Sequence, residues 1–201
     1  QCSQCDKNVG QAHCYGKAAD VYGSSSGTDL ARGSGGSAAG NSCGCNNAGG
    51  RGGHGGAAIR LIATEELTIT GIVSSNGENP PQDGAGCGYH GGGGGGAGGG
   101  ILVASPLIKG NGLLRANGGK GGYSPDNSWA WAGGGGSGGR VKVFATDQNG
   151  WSGSLEVTQG PAGECAPGDG NSSSWNGNPG NDGSIHTENS FPNELANFTC
   201  N

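Results

Sequence analysis

Apolar residues in this chain come in short bursts separated by long stretches that hold almost none. The first burst runs Ile59-Arg60-Leu61-Ile62, then Leu67-Thr68-Ile69 and Ile72-Val73. The second holds Ile101-Leu102-Val103, Leu107-Ile108 and Leu113-Leu114, and the third Val141-Lys142-Val143-Phe144, Leu155 and Val157. Ile59/Leu61, Leu67/Ile69 and Val141/Val143 fall on one face, with Arg60, Thr68 and Lys142 on the other. A period of two in such short runs predicts strands. Aligning Ile59, Ile101 and Val141 gives spacings of 42 and 40 residues. That period belongs to solenoids, whose units bury their apolar faces only against their neighbours. Gly71, Gly112 and Gly153 recur just before the last piece of each unit, where a bend between strands is expected.

Each unit opens on a glycine-rich lead, at 49–56, 91–100 and 133–139, and closes on Asn76-Gly77, Asn117-Gly118 or Gln159-Gly160, which reads as a turn. Ordering the six consecutive residues Gly91–Gly96 costs more backbone entropy than ordering any other hexapeptide. Leads that pack side by side in polyproline-II form would offset that cost with backbone hydrogen bonds, because the missing Cβ permits close approach, as at the collagen axis. On that reading a side chain in the tract, at Gly94 for instance, disrupts packing. The alternative is three flexible loops leaving one edge of a small β-domain.

Composition narrows the fold class. Glycine fills 50 of 201 positions, Leu, Ile, Val and Phe together only 26, and Met none. So few large apolar side chains exclude a three-layer α/β enzyme, a helical bundle and a bilayer-spanning segment. The expected fold is all-β: a Gly-rich parallel β-solenoid of about three coils with packed polyglycine segments, spanning residues 49–160. A Cys-rich N-terminal cap (1–48) and a turn-rich C-terminal cap (161–201) flank it. The second cap adds a degenerate last coil around Gly183-Ser184-Ile185 and one helical turn within 192–198.

Cys2, Cys5, Cys14, Cys43, Cys45, Cys87, Cys165 and Cys200 make an even count in a chain with a thin core. They read as staples of the caps, in up to four disulfides of open connectivity. Cys2-x-x-Cys5 lacks a second pair at zinc-finger spacing, so no metal and no cofactor are expected. The sequence opens at Gln1 without an apolar leader, and sequons stand at Asn171 and Asn197. Together these lead to the expectation of a processed, secreted glycoprotein.

A net charge of −5 with scattered Lys and Arg gives no footprint for nucleic acid or anionic membrane. A solenoid polysaccharide lyase or hydrolase would need carboxylates converging on one groove. Glu65, Glu66, Asp83, Asp126, Asp147 and Glu156 are the candidates, but turns attract such residues anyway, so no enzyme is expected. His54 and His90 each interrupt a glycine tract, while His13 and His186 lie apart. Trp129-Ala130-Trp131 would present both indoles on one side of an extended segment, near Tyr123 and Trp151. Such aromatics serve a subunit contact or stack on a glycan. Ice binding would need a Thr-x-Thr row on every coil, and only Thr68-x-Thr70 supplies one.

The run Gly133-Gly134-Gly135-Gly136-Ser137-Gly138-Gly139-Arg140-Val141-Lys142-Val143 resembles the G-G-G-S-G-G-R-[IV]-x-[IV] repeat of Gly-rich extracellular proteins of plants, algae, protists and bacteria. Leu113-Leu114-Arg115-Ala116-Asn117-Gly118-Gly119 is similar to the second element of that repeat. A more distant likeness is to the polyglycine-helix domain of receptors of the anaplastic lymphoma kinase type. The resemblance implies a cell-surface or wall location and carries over no catalytic residue.

The expected function is therefore that of a secreted structural or adhesive protein, a subunit of an extracellular filament or coat. Its partners would be further copies or other extracellular subunits, with glycans the alternative ligand. An ice-binding or glycan-binding solenoid is the rival reading. Because the apolar core is thin, reduction of the cysteines should unfold the protein. Circular dichroism before and after reductant checks this, and an unchanged spectrum would refute it.

Overall fold

The computed structural model describes residues 24–39, 50–81, 91–124, 132–165 and 176–196. Three strands form each repeat, and each strand lies beside its counterpart in the next repeat. In the first repeat they are β1 (Ala58–Ile62), β2 (Glu66–Thr68) and β3 (Ile72–Ser74). The second contributes β4 (Gly100–Ala104), β5 (Leu107–Gly110) and β6 (Leu113–Arg115), the third β7 (Arg140–Phe144), β8 (Asp147–Trp151) and β9 (Ser154–Glu156). The degenerate coil adds β10 (Ser184–Glu188), and α1 (Asn193–Ala196) is the expected helical turn. Stacking gives three sheets of order β1-β4-β7-β10, β2-β5-β8 and β3-β6-β9. All pairings are parallel, with Ile59 opposite Ile101 and Ile101 opposite Val141.

The alternating apolar residues form one core. Ile101, Val103, Ile108, Leu114, Val141 and Val143 are fully buried there, with Ile59, Leu61, Leu67, Val73 and Leu155 packed against them. Gly71, Gly112 and Gly153 make the bend before the third sheet. A Cβ on Gly112 would come within 2.6 Å of Gly71 O, and one on Gly153 within 2.2 Å of Gly112 O. The bends of the second and third coils thus demand glycine, because each lies against the backbone of the coil before it, whereas a Cβ on Gly71 in the first coil would meet nothing within 4 Å.

The glycine-rich leads are ordered. Extended legs enter the coils at 50–57, 91–99, 132–139 and 176–183, and leave them at 75–81, 116–124 and 158–165. Residues 33–39 make an eighth segment. Hydrogen bonds between legs recur every third residue, as Gly33 N–H to Gly56 O, Gly36 N–H to Gly53 O and Ala39 N–H to Gly50 O show. A three-residue repeat is the screw of polyproline II, which makes no hydrogen bonds within itself and directs all of them outward. Leg 91–99 shows the full pattern. Gly94 N–H donates to Ser37 O (2.8 Å), Gly95 N–H to Gly134 O (2.9 Å) and Gly96 N–H to Glu78 O (2.9 Å). Its carbonyls accept in turn from Gly53 (at Gly94) and from Gly119 (at Gly96). One leg therefore contacts five others, some parallel and some antiparallel.

Two sequence expectations change here. Asn76-Gly77, Asn117-Gly118 and Gln159-Gly160 do not turn the chain; they lie inside the outgoing legs. Their glycines serve close approach, since a Cβ on Gly77 would lie 1.9 Å from Gly96 O and one on Gly160 1.9 Å from Gly119 O. Among the described residues only Gly110 has a positive φ, +106°. Gly94 is the second change. A Cβ there comes no nearer than 3.1 Å, to Ser37 N, whereas on Gly95 it would reach 2.1 Å from Gly119 O and on Gly96 1.9 Å from His54 O.

The face of the first sheet that carries Arg60 and Lys142 is covered as well. Leu102, Ala104 and Phe144 pack there with Leu195 of α1, and with Leu30, Ile62 and Phe191. Lys142 is 1% exposed and donates to Gly27 O (2.6 Å), Asp29 O (2.8 Å) and Asp29 Oδ1 (2.9 Å). Arg60 donates to Thr28 O, and the Thr28 hydroxyl to Glu194. Segment 24–31 is thus strapped across the sheet. The hydrogen bond from Lys142 holds the Asp29 carboxyl below its ordinary value near 3.8.

The two kinds of packing make separate predictions. Gly96→Ala or Gly136→Ala should each lower stability by about 3 kcal/mol, since a carbonyl occupies the Cβ position. Gly94→Ala should cost less than about 1 kcal/mol. Urea titration compares them, and equal losses at Gly94 and Gly96 would refute the packing scheme. The Asp29 contribution is present above the unfolded carboxyl pKa and lost as pH falls through the folded one. The melting temperature should therefore drop below about pH 4, and less so in Asp29→Asn; identical acid profiles would exclude the strap as a contributor.

Candidate assembly surface

The core row Ile59, Ile101, Val141 continues to Ile185, which pairs with Val141 yet is 47% exposed. Among the described residues the outer edges of β1 and β10 are the ends of the four-stranded sheet. Both strands have five residues and run parallel, so one edge presents the hydrogen-bonding pattern that the other accepts. The second and third sheets stop one coil earlier. Gln148 Nε2 donates to Asn189 Oδ1 (3.1 Å), which brings the start of a fourth turn over β8. Exposed parallel edges bearing an apolar side chain are templates for further pairing.

Two of the four aromatic candidates, Tyr123 and Trp151, are among the described residues. Tyr123 is exposed on the outgoing leg 116–124. Trp151 ends β8 and packs against the core, its ring standing where a Cβ on Gly153 would be. Trp151 is therefore committed to covering a bend. Trp129 and Trp131 lie outside the described residues, as do Asn171, Asn197 and every cysteine except Cys165. Cys165 is buried, pairs with Ser124 in an isolated parallel bridge and donates its backbone N–H to Asn176 Oδ1 (3.0 Å).

Among the described residues the carboxylates do not converge. Glu66 pairs with Lys109 at 2.9 Å, and that hydrogen bond lowers its pKa, which suits a surface ion pair and not a proton donor. Asp147 Oδ1 accepts from the backbone amide of Asn149, two residues on in β8. Glu156 lies 3.4 Å from Asn117 Nδ2 on another sheet, and Glu65 is exposed. Asp83 and Asp126 lie outside the described residues. His186 packs on Phe144 with ring centroids 5.5 Å apart and sits 3.3 Å from Glu188, while His54 is exposed on a leg and His13 and His90 are not described. Glu188 is held below its ordinary pKa by hydrogen bonds from Ser190 and then His186. Thr68 pairs with Lys109, and Lys109 with Gly150, so the threonine row that ice binding favours is broken across the sheet.

Sequence reasoning missed the side-chain ladder along the outgoing legs. Asn76 Oδ1 accepts from Asn117 N–H, and Asn117 Oδ1 from Thr158 N–H. Asn79 repeats the contact with Lys120 N–H one helical turn on. The signal was present, since Asn76 and Asn117 are spaced by the repeat period and Asn79 follows Asn76 by three. Among the described residues no cluster of three or more metal-ligating side chains occurs, and no helix is long and apolar enough to cross a membrane.

No protein-family model, curated protein or solved structure matches the chain.

Proposed function

We propose that the protein is a secreted structural or adhesive subunit of an extracellular filament or coat, and that it assembles by continuing its own first sheet from copy to copy. The observation that carries this reading is the pair of edges β1 and β10, with Ile185 exposed at the end of the core row. Parallel pairing of β10 with β1 of the next copy would set Ile185 opposite Ile59, as Val141 is set opposite Ile101. Backbone hydrogen bonds then supply the contact and the apolar row supplies the register. The cysteines staple the flanking segments, and Trp129, Trp131 and Tyr123 are the aromatic anchors left for lateral contacts or glycans.

The composition supports a structural role more than a catalytic one. The described carboxylates and histidines are spread over separate sheets and legs, and the buried Lys142 is spent on strapping segment 24–31 to the first sheet.

Electron microscopy of natively purified material should show filaments with this chain as the repeating unit. Ile185→Lys, which places a charge on an exposed edge position, should leave the monomer folded and shorten or abolish the filaments. Dispersed wild-type monomers would overturn the proposal and turn attention to ice and glycan binding.

A further inference from the structure

We infer that the molecule carries a docking groove for one extended, glycine-rich segment of another polypeptide chain, at a position that the described residues leave open. Leg 91–99 directs bonds in six directions, alternately donating and accepting around its axis. It donates toward 75–78, 134–137 and 34–37, and accepts from 119–122 and 53–56. That fills five directions. The sixth belongs to the carbonyls of Gly95 and Gly98, which accept no backbone hydrogen bond among the described residues.

The sixth direction opens into a cleft of about 210 Å³ between segment 34–37 and leg 134–137, with Gly94, Gly95 and Ala97 on its floor. The same lattice geometry aims two N–H groups from each wall into it. On one wall these are Ser34 and Ser37, on the other Gly134 and Ser137; none has a partner among the described residues. The cleft therefore offers acceptors on its floor and donors on both walls, each spaced three residues apart. In polyproline II that spacing is about 9.3 Å. A peptide in the same screw presents matching donors and acceptors at the same interval.

The floor's side chains agree with an opening in this direction. Leg 91–100 is all glycine except Ala97. Residues 94 and 97 share a face, and a Cβ on Gly94 meets only the edge of segment 36–37, at 3.1 Å and beyond. At Gly92, Gly93, Gly95, Gly96, Gly98 and Gly99 a Cβ would strike a neighbouring carbonyl, as at Gly93, 2.0 Å from Arg51 O. A side chain is admitted where no leg stands. The occupant must itself be rich in glycine, because its inward faces lie against three legs at lattice distance, and its outward face tolerates a larger residue at every third position.

The inference stands apart from edge-to-edge assembly, since it concerns the flank of the legs and not the ends of the sheets. Its test is amide NMR of the labelled monomer with the peptide (Gly-Gly-Ser)3, and with (Ala-Ala-Ser)3 as control. The glycine peptide should shift the amides of Ser34, Ser37, Gly134 and Ser137 in a saturable way, and the alanine peptide should not. Ser37→Pro fits the polyproline backbone, keeps the carbonyl that serves Gly94, and removes one groove donor; it should weaken binding about tenfold. Gly94→Leu, which fills the cleft, should abolish it if Ser37→Pro does not fold. The same shifts produced by raising the protein concentration alone would support the inference, with a second copy as donor. No shift at millimolar peptide, equal shifts with the alanine peptide, or amides already protected from exchange in the isolated protein would each overturn it.

Discussion

The structure depends on one steric condition: two backbones can share hydrogen bonds at every third residue only if no Cβ stands between them. In the legs, a neighbour's carbonyl sits about 2 Å from where the Cβ would be, for instance at Gly53, Gly92 and Gly139. Glycine is therefore not a source of flexibility here. It is the one residue that lets a peptide group take the place of a side chain, and the entropy lost in ordering it is offset by bonds that the bare backbone supplies.

That condition also explains why strands and legs belong to one repeat. A strand neighbours its counterpart at about 4.8 Å, and the legs approach closely enough for the same kind of N–H to carbonyl bond. One chain displacement therefore serves both. Leg 91–99 lies 41 residues from 50–56 through Gly53 N–H to Gly94 O, and β2 lies 41 residues from β5 through Glu66 and Leu107. The apolar residues gather at the tip of each unit because the legs have no room for them. A narrow core of Ile, Val and Leu results, sealed on its second face by Leu30, Phe191 and Leu195.

The strands, their parallel stacking and the repeat period were legible because alternation and spacing report directly on which face is buried. The outgoing legs were not. Asn-Gly is the commonest signal for a tight turn, and nothing local separates a glycine needed for positive φ from one needed for absent bulk. A cue existed in the three-residue spacing of Gly119 and Gly122, or of Gly160 and Gly163. Segment 33–39 was hidden inside a Cys-rich stretch that departs from the repeat, though Gly33 and Gly36 keep the same interval. The buried role of Lys142 was hard to see for a different reason: a charged residue opposite an apolar row usually faces water, although Leu102, Ala104 and Phe144 alternate with that row too and signal a second buried face. For the candidate site, the edge position of Ile185 followed from the degenerate coil, whereas nothing local signalled that Trp151 would turn inward over Gly153.

The way the legs are packed bears on how the protein responds to temperature. Unfolding a typical domain exposes mostly apolar surface, raises the heat capacity and bends the stability curve into a dome, whereas exposing polar surface lowers the heat capacity. Here much of what unfolding uncovers is peptide backbone from the glycine legs, and little is hydrocarbon. The two contributions oppose one another, so the heat-capacity change is small for a chain of this length. The stability curve is correspondingly flat. A molecule held together in this manner should lose stability more gradually toward low temperature than one held by a hydrocarbon core.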